Sequence, residues 1–153
     1  MSDVISKEGE KQKDWFYSKA VKEHFLKPKN IATEDKLVEE MKPNGVGEVG
    51  SPACGDVMKM WLKIEDGRIK KCLWRTFGCA SAIASTSMLS VIITENGGMT
   101  LEDAEKVRPK DILERLGGLP KNKVHCSVLG DQALRAAIKN YQETSGKNSN
   151  SEN

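Results

Sequence analysis

A strand, a tight turn and a second strand form the pattern that most constrains the fold of this chain. Between Asp56 and Ile64, apolar residues recur at alternate positions, which is the period of a strand with one buried face. The dipeptide Asp66-Gly67 that follows is typical of a two-residue hairpin turn. A return strand is predicted from Arg68 to Phe77. Its expected apolar alternation is Ile69, Leu73 and Phe77, and the expected solvated cations are Lys63, Lys71 and Arg75.

After this hairpin the period of the apolar residues changes to that of a helix. A helix is predicted from Ala80 to Glu95, and Asn96-Gly97-Gly98 would end it. Further helices are predicted from Thr100 as N-cap to about Val107, from Pro109 to Leu116, and from about Cys126 to Glu143. The apolar stripe predicted for the helix from Ala80 to Glu95 is Ala80, Ile83, Ala84, Met88, Val91 and Ile92.

The N-terminal part of the chain predicts fewer regular elements. Asp14 is a candidate cap for a helix that runs to about Lys27, and residues 28–44 are expected to form mostly a loop. A short strand is predicted from Val46 to Val49. The fold class is therefore α+β, with a small antiparallel three-stranded sheet packed against about four to five helices. Residues 1–13 and 145–153 are predicted to be disordered tails around one domain, residues 14–144.

Composition excludes several classes of protein. With 153 residues, 24 Lys and Arg against 22 Asp and Glu, the net charge is near +2, which does not favour nucleic acid as a partner. No stretch approaches the roughly 20 apolar residues of a membrane helix, and the charged N-terminus lacks the apolar core of a secretory signal. The expected protein is a single cytoplasmic domain, with no membrane partner.

Four cysteines are the first indication of function. A disulfide framework is not expected in an intracellular chain of this size, and no C-x-x-C pair marks a common zinc site. Three of the cysteines lie where predicted elements meet, so their side chains have the opportunity to converge. These three are Cys54, Cys79 and Cys126; the fourth, Cys72, lies inside a strand on the parity of Trp74 and is expected to be a packed thiol.

The surroundings of the three junction cysteines favour soft-metal chemistry. Cys79 and Cys126 are predicted at helix N-termini, whose partial positive charge favours thiolate over thiol. Three thiolates favour zinc or an iron–sulfur centre. Asp56 and His125 each lie close in sequence to a cysteine, and either could supply a fourth ligand, although a turn-forming aspartate and a capping histidine are common. A carboxylate, being harder than a thiolate, would suit temporary holding of a cluster.

Three segments around these cysteines resemble the IscU/NifU family of iron–sulfur cluster assembly scaffolds. The similarity extends to the start of the N-terminal helix and covers roughly Trp15 to Tyr141, and Asn140-Tyr141 and residues 117–120 are closer to the N-terminal domain of NifU. The chain would be a stand-alone scaffold domain of the SufE/IscU-like fold. The three segments are Ala53–Lys59 (ACGDVMK), Thr76–Ser85 (TFGCASAIAS) and Val124–Ser127 (VHCS).

This resemblance implies a site and a set of partners. Cys54, Cys79 and Cys126 would bind a transient [2Fe-2S] cluster, Asp56 would make that cluster labile, and His125 would be an alternative ligand. Sulfur would arrive as persulfide from a cysteine desulfurase of the IscS/NifS type, iron would join it, and apo-proteins would accept the cluster. Residues 119–124 (LPKNKV) depart from the Leu-Pro-Pro-Val-Lys segment to which an Hsp70-type chaperone binds in many relatives, which puts that partner in doubt.

Two other functions use the same residues. A structural or regulatory zinc module would bind zinc through the three cysteines with Asp56 or His125. A thiol enzyme would use Cys126 as nucleophile and His125 as base, but adjacent residues of a helix point about 100° apart. The protein is therefore expected to be a scaffold and not an enzyme.

Overall fold

The computed structural model describes residues 18–51, 56–77, 80–117 and 125–152, and within them all side chains except those of residues 51, 56, 125–129 and 145–152. These ranges contain three strands and six α-helices, which confirms the α+β class and adds one helix to the expected number. In chain order the elements are α1 Lys19–Leu26, α2 Asp35–Met41, β1 Gly45–Ser51, β2 Asp56–Glu65, β3 Arg68–Thr76, α3 Ala80–Thr94, α4 Leu101–Glu105, α5 Pro109–Leu116 and α6 His125–Glu152.

The three strands form one antiparallel sheet in the order β1-β2-β3. Asp66 and Gly67 have φ angles of 55° and 73°, which is the left-handed conformation that a tight hairpin turn of this kind requires at both positions. The alternation predicted for β2 is confirmed, because its apolar residues face a common core. The buried residues of this strand's inner face are Met58, Met60, Leu62 and Ile64.

A β-bulge in β3 changes which of its side chains are buried. Lys63 pairs with Lys71, but the next residue, Ile64, pairs with Ile69, so that Lys70 is the extra residue of the bulge. One extra residue reverses the alternation of the strand beyond it. The pattern that begins at Ile69 therefore does not continue in phase to the end of β3.

The predicted alternation of β3 is wrong for this reason. Ile69 is buried as expected, but the core residues beyond the bulge are Cys72 and Trp74. Leu73 is only partly buried, and Phe77 is 75% exposed. Leu73 and Phe77 thus belong to the outer face of the sheet, together with the predicted solvated cations.

Helix α3 lies at the centre of the molecule. It packs against β3, α1 and α6, and both its small and its large residues are buried, so that the single stripe predicted for it is wrong in detail. Ala80, Ile83 and Val91 are partly exposed. Two serine hydroxyls on this helix bond to α1 and to the segment after it: Ser87 Oγ lies 2.7 Å from His24 Nδ1 of α1, and Ser90 Oγ accepts from Asn30 Nδ2 at 2.9 Å.

Helix boundaries differ from the prediction at three places. The segment predicted as a loop contains α2, which Lys42 ends with a left-handed φ of 54°. Ser18 is the N-cap of α1. The start predicted for this helix at Asp14 and the predicted tail of residues 1–13 both lie outside the described residues. The last helix continues past Glu143 to Glu152, so no change of secondary structure marks the predicted tail at residue 145.

The helices that the structure describes include none that is both long enough and apolar enough to cross a membrane.

Candidate functional site

All three strands have one of their ends on the same side of the sheet, and this side, which runs across the strands, is the edge described here. The last residue of β1, Ser51, pairs with the first residue of β2, Asp56, and Thr76 at the end of β3 pairs with Met58. Cys54 belongs to the four residues that join β1 to β2 at this edge, and Cys79 lies three residues after the end of β3. Two cysteine-bearing segments therefore leave the sheet at the same edge.

Helix α6 brings the third cysteine-bearing segment to that edge. It packs on β1 where two glycines replace side chains: a Cβ on Gly45 would meet Ala137 and Tyr141, and a Cβ on Gly47 would meet Ala133 and Ala137. Later residues of β1 thus lie beside earlier residues of α6, and the two elements run in opposite directions.

The rise per residue places the start of α6 level with the end of β1. From Gly47 to Ser51 the strand advances about 13 Å, and the nine residues from position 135 back to Cys126 span about 13 Å of helix. Asn140 fixes this register, because its Oδ1 accepts a hydrogen bond of 3.0 Å from the backbone N–H of Val46. The N-terminal turn of α6 therefore lies at the edge from which the other two cysteine segments leave.

The structure places the backbone of three of the five predicted site residues. Asp56 is the first residue of β2, and His125 and Cys126 are the first two residues of α6, but their side chains are outside the description. Cys54 and Cys79 lie outside the described residues, although α3 begins at Ala80, immediately after Cys79. The ligand set therefore stays a prediction. Among the described side chains, no group of three or more His, Cys, Asp or Glu is placed to hold a metal ion.

Cys72 is set apart from this edge, as the sequence predicted. It pairs with Leu62 and lies four residues before Thr76, about 13 Å along the strand from the edge. The thiol is free and buried in the core, and this burial raises its pKa far above the ordinary value. A buried neutral thiol is a poor nucleophile and a poor ligand, so the packed-thiol interpretation is confirmed.

Asp131 on α6 is a buried charged residue that sequence patterns do not reveal. Its Oδ2 accepts from Arg135 Nη1 at 2.5 Å, whereas its Oδ1 is buried with no hydrogen-bond partner. Burial raises the pKa of this carboxyl, and Arg135 opposes that shift. An Asp–Arg pair four residues apart is ordinarily a surface feature of a helix, which is why the pattern alone gives no signal of burial.

Replacing Asp131 with asparagine should change how stability depends on pH. Because folding raises the pKa of the Asp131 carboxyl, ionisation of this group lowers the free energy of unfolding. This loss is absent at pH values below the ordinary pKa of 3.8 and complete above the raised pKa of the folded chain. The free energy of unfolding of Asp131→Asn relative to the wild-type protein should therefore increase as pH rises through that window. Urea denaturation at several pH values measures it, with the exposed Asp103→Asn as control. A relative stability that falls with rising pH would contradict the assignment.

Comparison with known proteins identifies the family. The family described as NifU-like N terminal domain matches residues 16–148, and the chain belongs to this family. It is 44% identical over 130 residues to "Iron sulfur cluster assembly protein 1" of Trachipleistophora hominis, a match that covers 85% of this chain and 89% of that protein. It is equally identical over 131 residues to an iron-sulfur cluster assembly scaffold protein IscU of Archaeoglobus fulgidus, covering 86% of this chain and 80% of that protein.

Two further comparisons agree with this family. The NifU nitrogen fixation protein of Nostoc is 46% identical over 130 residues, but the match covers only 42% of that longer protein. The crystal structure of the N-terminal part of a NifU-like protein from Brucella abortus superimposes with a TM-score of 0.60 at 21% identity, over 85% of this chain and 96% of that one. This structural likeness supports the same arrangement of sheet and helices.

Proposed function

We propose that this protein is a scaffold on which a [2Fe-2S] cluster is assembled from iron and sulfur and then transferred to apo-proteins. The observation that carries the proposal is that the described residues next to all three cysteine-bearing segments, namely Ser51, Asp56, Thr76 and the first turn of α6, lie at one edge of the sheet, in a chain whose relatives are named for cluster assembly. The protein acts by holding and releasing a cargo, not by turning over a substrate as an enzyme does.

The proposed ligands are the thiolates of Cys54, Cys79 and Cys126. Two features of the chain support this set: Cys79 immediately precedes α3, and Cys126 is the second residue of α6. The unpaired N–H groups of a helix N-terminus stabilise a thiolate, which is the form that binds iron and attacks a persulfide. The fourth ligand position is assigned to Asp56 or to His125, which are the first residues of β2 and α6.

The proposed partners follow from the chemistry of the cargo. A cysteine desulfurase supplies sulfur as a persulfide, and a scaffold thiolate accepts the outer sulfur by exchange. Iron(II) joins the bound sulfur as the persulfide S–S bond is reduced to sulfide. Oxidation of two iron ions to iron(III) supplies two of the four electrons that two sulfur atoms need, and a thiol such as excess cysteine supplies the other two. An apo-protein with cysteine ligands then removes the finished cluster. Each step requires reachable sulfur, which favours cysteines at junctions over a thiol packed in the core such as Cys72. The cytoplasmic location stays a prediction.

The direct test is assembly on the wild-type protein. Anaerobic incubation with ferrous iron, cysteine and a cysteine desulfurase should produce the visible absorption and circular dichroism of a [2Fe-2S] cluster bound to the chain. Iron that remains in the small-molecule fraction after gel filtration, with no such spectrum, would contradict the proposal.

Zinc bound to the same residues would show that the site can be occupied, without defining its function. Three thiolates with a carboxylate or imidazole are a suitable donor set for zinc. A purely structural zinc module would keep its metal when iron and sulfide are supplied, whereas a scaffold should exchange zinc for a cluster during assembly.

Replacing Asp56 with alanine should slow transfer of the cluster to an acceptor. The residue opens β2 at the edge where the cysteine segments meet, and a carboxylate holds iron less firmly than a thiolate does. Transfer is measured as the rate at which an apo-ferredoxin gains its own spectrum, with Glu65→Ala at the opposite end of the same strand as control. Unchanged transfer from the Asp56 variant would remove this residue from the release step.

A further inference from the structure

Helix α3 contains one buried hydroxyl group that has no partner. Ser81 lies in the first turn of α3, its side chain is fully buried, and its Oγ forms no hydrogen bond in the part of the chain that the structure describes. One other buried side-chain atom in that part, Asp131 Oδ1, shares this property. A buried hydroxyl without a partner lowers stability, because it has lost its hydrogen bonds to water and gained none. Such groups are rare in folded proteins, and a functional role or a bound water or ion commonly accounts for them.

The other four buried hydroxyl groups of α3 all have partners. Ser87 and Ser90 bond to α1 and to the segment after it. Ser85 Oγ donates to the backbone carbonyl three residues earlier at 3.3 Å, and Thr86 Oγ1 donates to a methionine sulfur of β2 at 3.2 Å. The exception is therefore Ser81, the hydroxyl nearest to the start of the helix.

The direction of the Ser81 side chain leads toward the candidate site. A serine in a helix can donate to the carbonyl four residues earlier, but the described backbone of Phe77 is not a partner of this hydroxyl. The Cα–Cβ bonds of an α-helix tilt toward its N-terminus, so the Ser81 hydroxyl points toward the edge of the sheet at which α3 begins. Cys79, one of the proposed ligands, precedes Ser81 by two residues in the chain.

The chemistry of α3 favours an anionic partner for this hydroxyl. Residues 80–94 include no Lys, Arg, His, Asp or Glu, so the donors at the start of the helix are backbone N–H groups and the Ser81 hydroxyl. The unpaired N–H groups give this end a partial positive charge. An iron–sulfur cluster held by thiolates has sulfur atoms that accept hydrogen bonds. A neutral hydroxyl can therefore bond to such a sulfur without adding a charge to the core.

We propose that Ser81 donates a hydrogen bond to a sulfur atom of the bound cluster and so holds the cargo at the start of α3. The inference rests on the proposed scaffold function and adds a binding residue to its site. The cluster-free protein keeps a buried hydroxyl without a partner, and the cargo supplies the missing acceptor. Loading of the cluster thus removes an unfavourable feature of the empty scaffold.

The loaded Ser81→Ala protein tests the contact with the cluster. Because a hydrogen bond to a charged acceptor is lost, the variant should lose its [2Fe-2S] cluster to an iron chelator about tenfold faster than the wild-type protein does. Its reduction potential should also be lower, since hydrogen bonds to the sulfur atoms favour the more negative, reduced cluster. Ser85→Ala, equally buried one turn later in the same helix, is the matched control and should change neither quantity.

Urea denaturation of the cluster-free proteins gives effects of the opposite sign. Ser81→Ala removes an unpartnered hydroxyl and should be at least as stable as the wild-type protein, whereas Ser85→Ala removes a bonded hydroxyl and should be less stable than Ser81→Ala. Both variants replace serine with alanine in one helix, so helix propensity contributes similarly to both.

Two results would overturn the inference alone. One is a wild-type protein and a Ser81→Ala protein that load a cluster with the same reduction potential and the same rate of loss. The other is a cluster-free Ser81→Ala protein that is clearly less stable than the wild-type protein, because the hydroxyl would then already have a partner within the chain. A wild-type protein that assembles no cluster would instead contradict the proposed function, and this inference with it.

Discussion

Each of the single substitutions Cys54→Ala, Cys79→Ala and Cys126→Ala should abolish the [2Fe-2S] spectrum that the wild-type protein gains on assembly. A cluster held by three protein thiolates would lose one of its strong bonds in each variant, and water is a much weaker ligand of iron than a thiolate is. The measurement is visible circular dichroism together with iron and sulfide bound per chain after gel filtration under anaerobic conditions.

Cys72→Ala is the matched control for these three variants. Its thiol lies in the core, about 13 Å along β3 from the edge of the sheet, so cluster loading should equal that of the wild-type protein. The variant should nevertheless unfold at a lower urea concentration, because it leaves a small cavity. Normal loading of any of the three junction variants, or loss of loading in a folded Cys72→Ala protein, would contradict the ligand assignment.

Gly47→Ala should be the most destabilising small substitution in the sheet. A Cβ at this position would lie closer to the backbone of Ala133 and Ala137 than the 3.0 Å that real Cβ atoms keep. Helix backbone cannot rotate out of the way as a side chain can, so β1 and α6 must separate. We expect a loss at the upper end of the overpacking range, about 3 kcal/mol, measured by urea denaturation.

The neighbouring Glu48→Ala serves as the control for this substitution. Glu48 is exposed on the opposite face of the same strand, where a smaller side chain meets no helix, and its free energy of unfolding should change little. Because α6 carries Cys126, the Gly47 variant should also lose cluster loading at temperatures where it remains folded. A Gly47→Ala protein as stable as Glu48→Ala would contradict the close packing of α6 on β1.

Local patterns predict much of this fold. The alternation of β2, the Asp66-Gly67 turn and the helix that begins at Ala80 each reflect interactions between residues close in sequence, and each is confirmed. The predicted burial of Leu73 and Phe77 failed because the bulge at Lys70 depends on how two strands pair, and no single residue of β3 marks it. Likewise, α2 was missed because it is a short helix in a charged segment between two prolines. Its helical spacing rests on only two large apolar residues, Leu37 and Met41.

The site was predictable in its chain positions but not in its convergence. Helix and strand boundaries give the junction positions of Cys54, Cys79 and Cys126. The approach of the described residues that flank them to one edge depends instead on the antiparallel packing of α6 on β1, which is a long-range contact. The choice between Asp56 and His125 depends on side-chain geometry that no spacing encodes. The burial of Asp131 also escaped prediction, because its Arg135 partner gives it the pattern of a surface ion pair.

Transfer of the cluster to an acceptor distinguishes a scaffold from any protein that merely binds metal. The chain is loaded with a [2Fe-2S] cluster, separated from free iron and sulfide, and mixed anaerobically with an apo-ferredoxin in the presence of an iron chelator. The ferredoxin spectrum should appear as the spectrum of the loaded chain disappears, with little iron in the chelator. A cluster that stays on the chain, or iron that passes to the chelator while the ferredoxin remains empty, would contradict it.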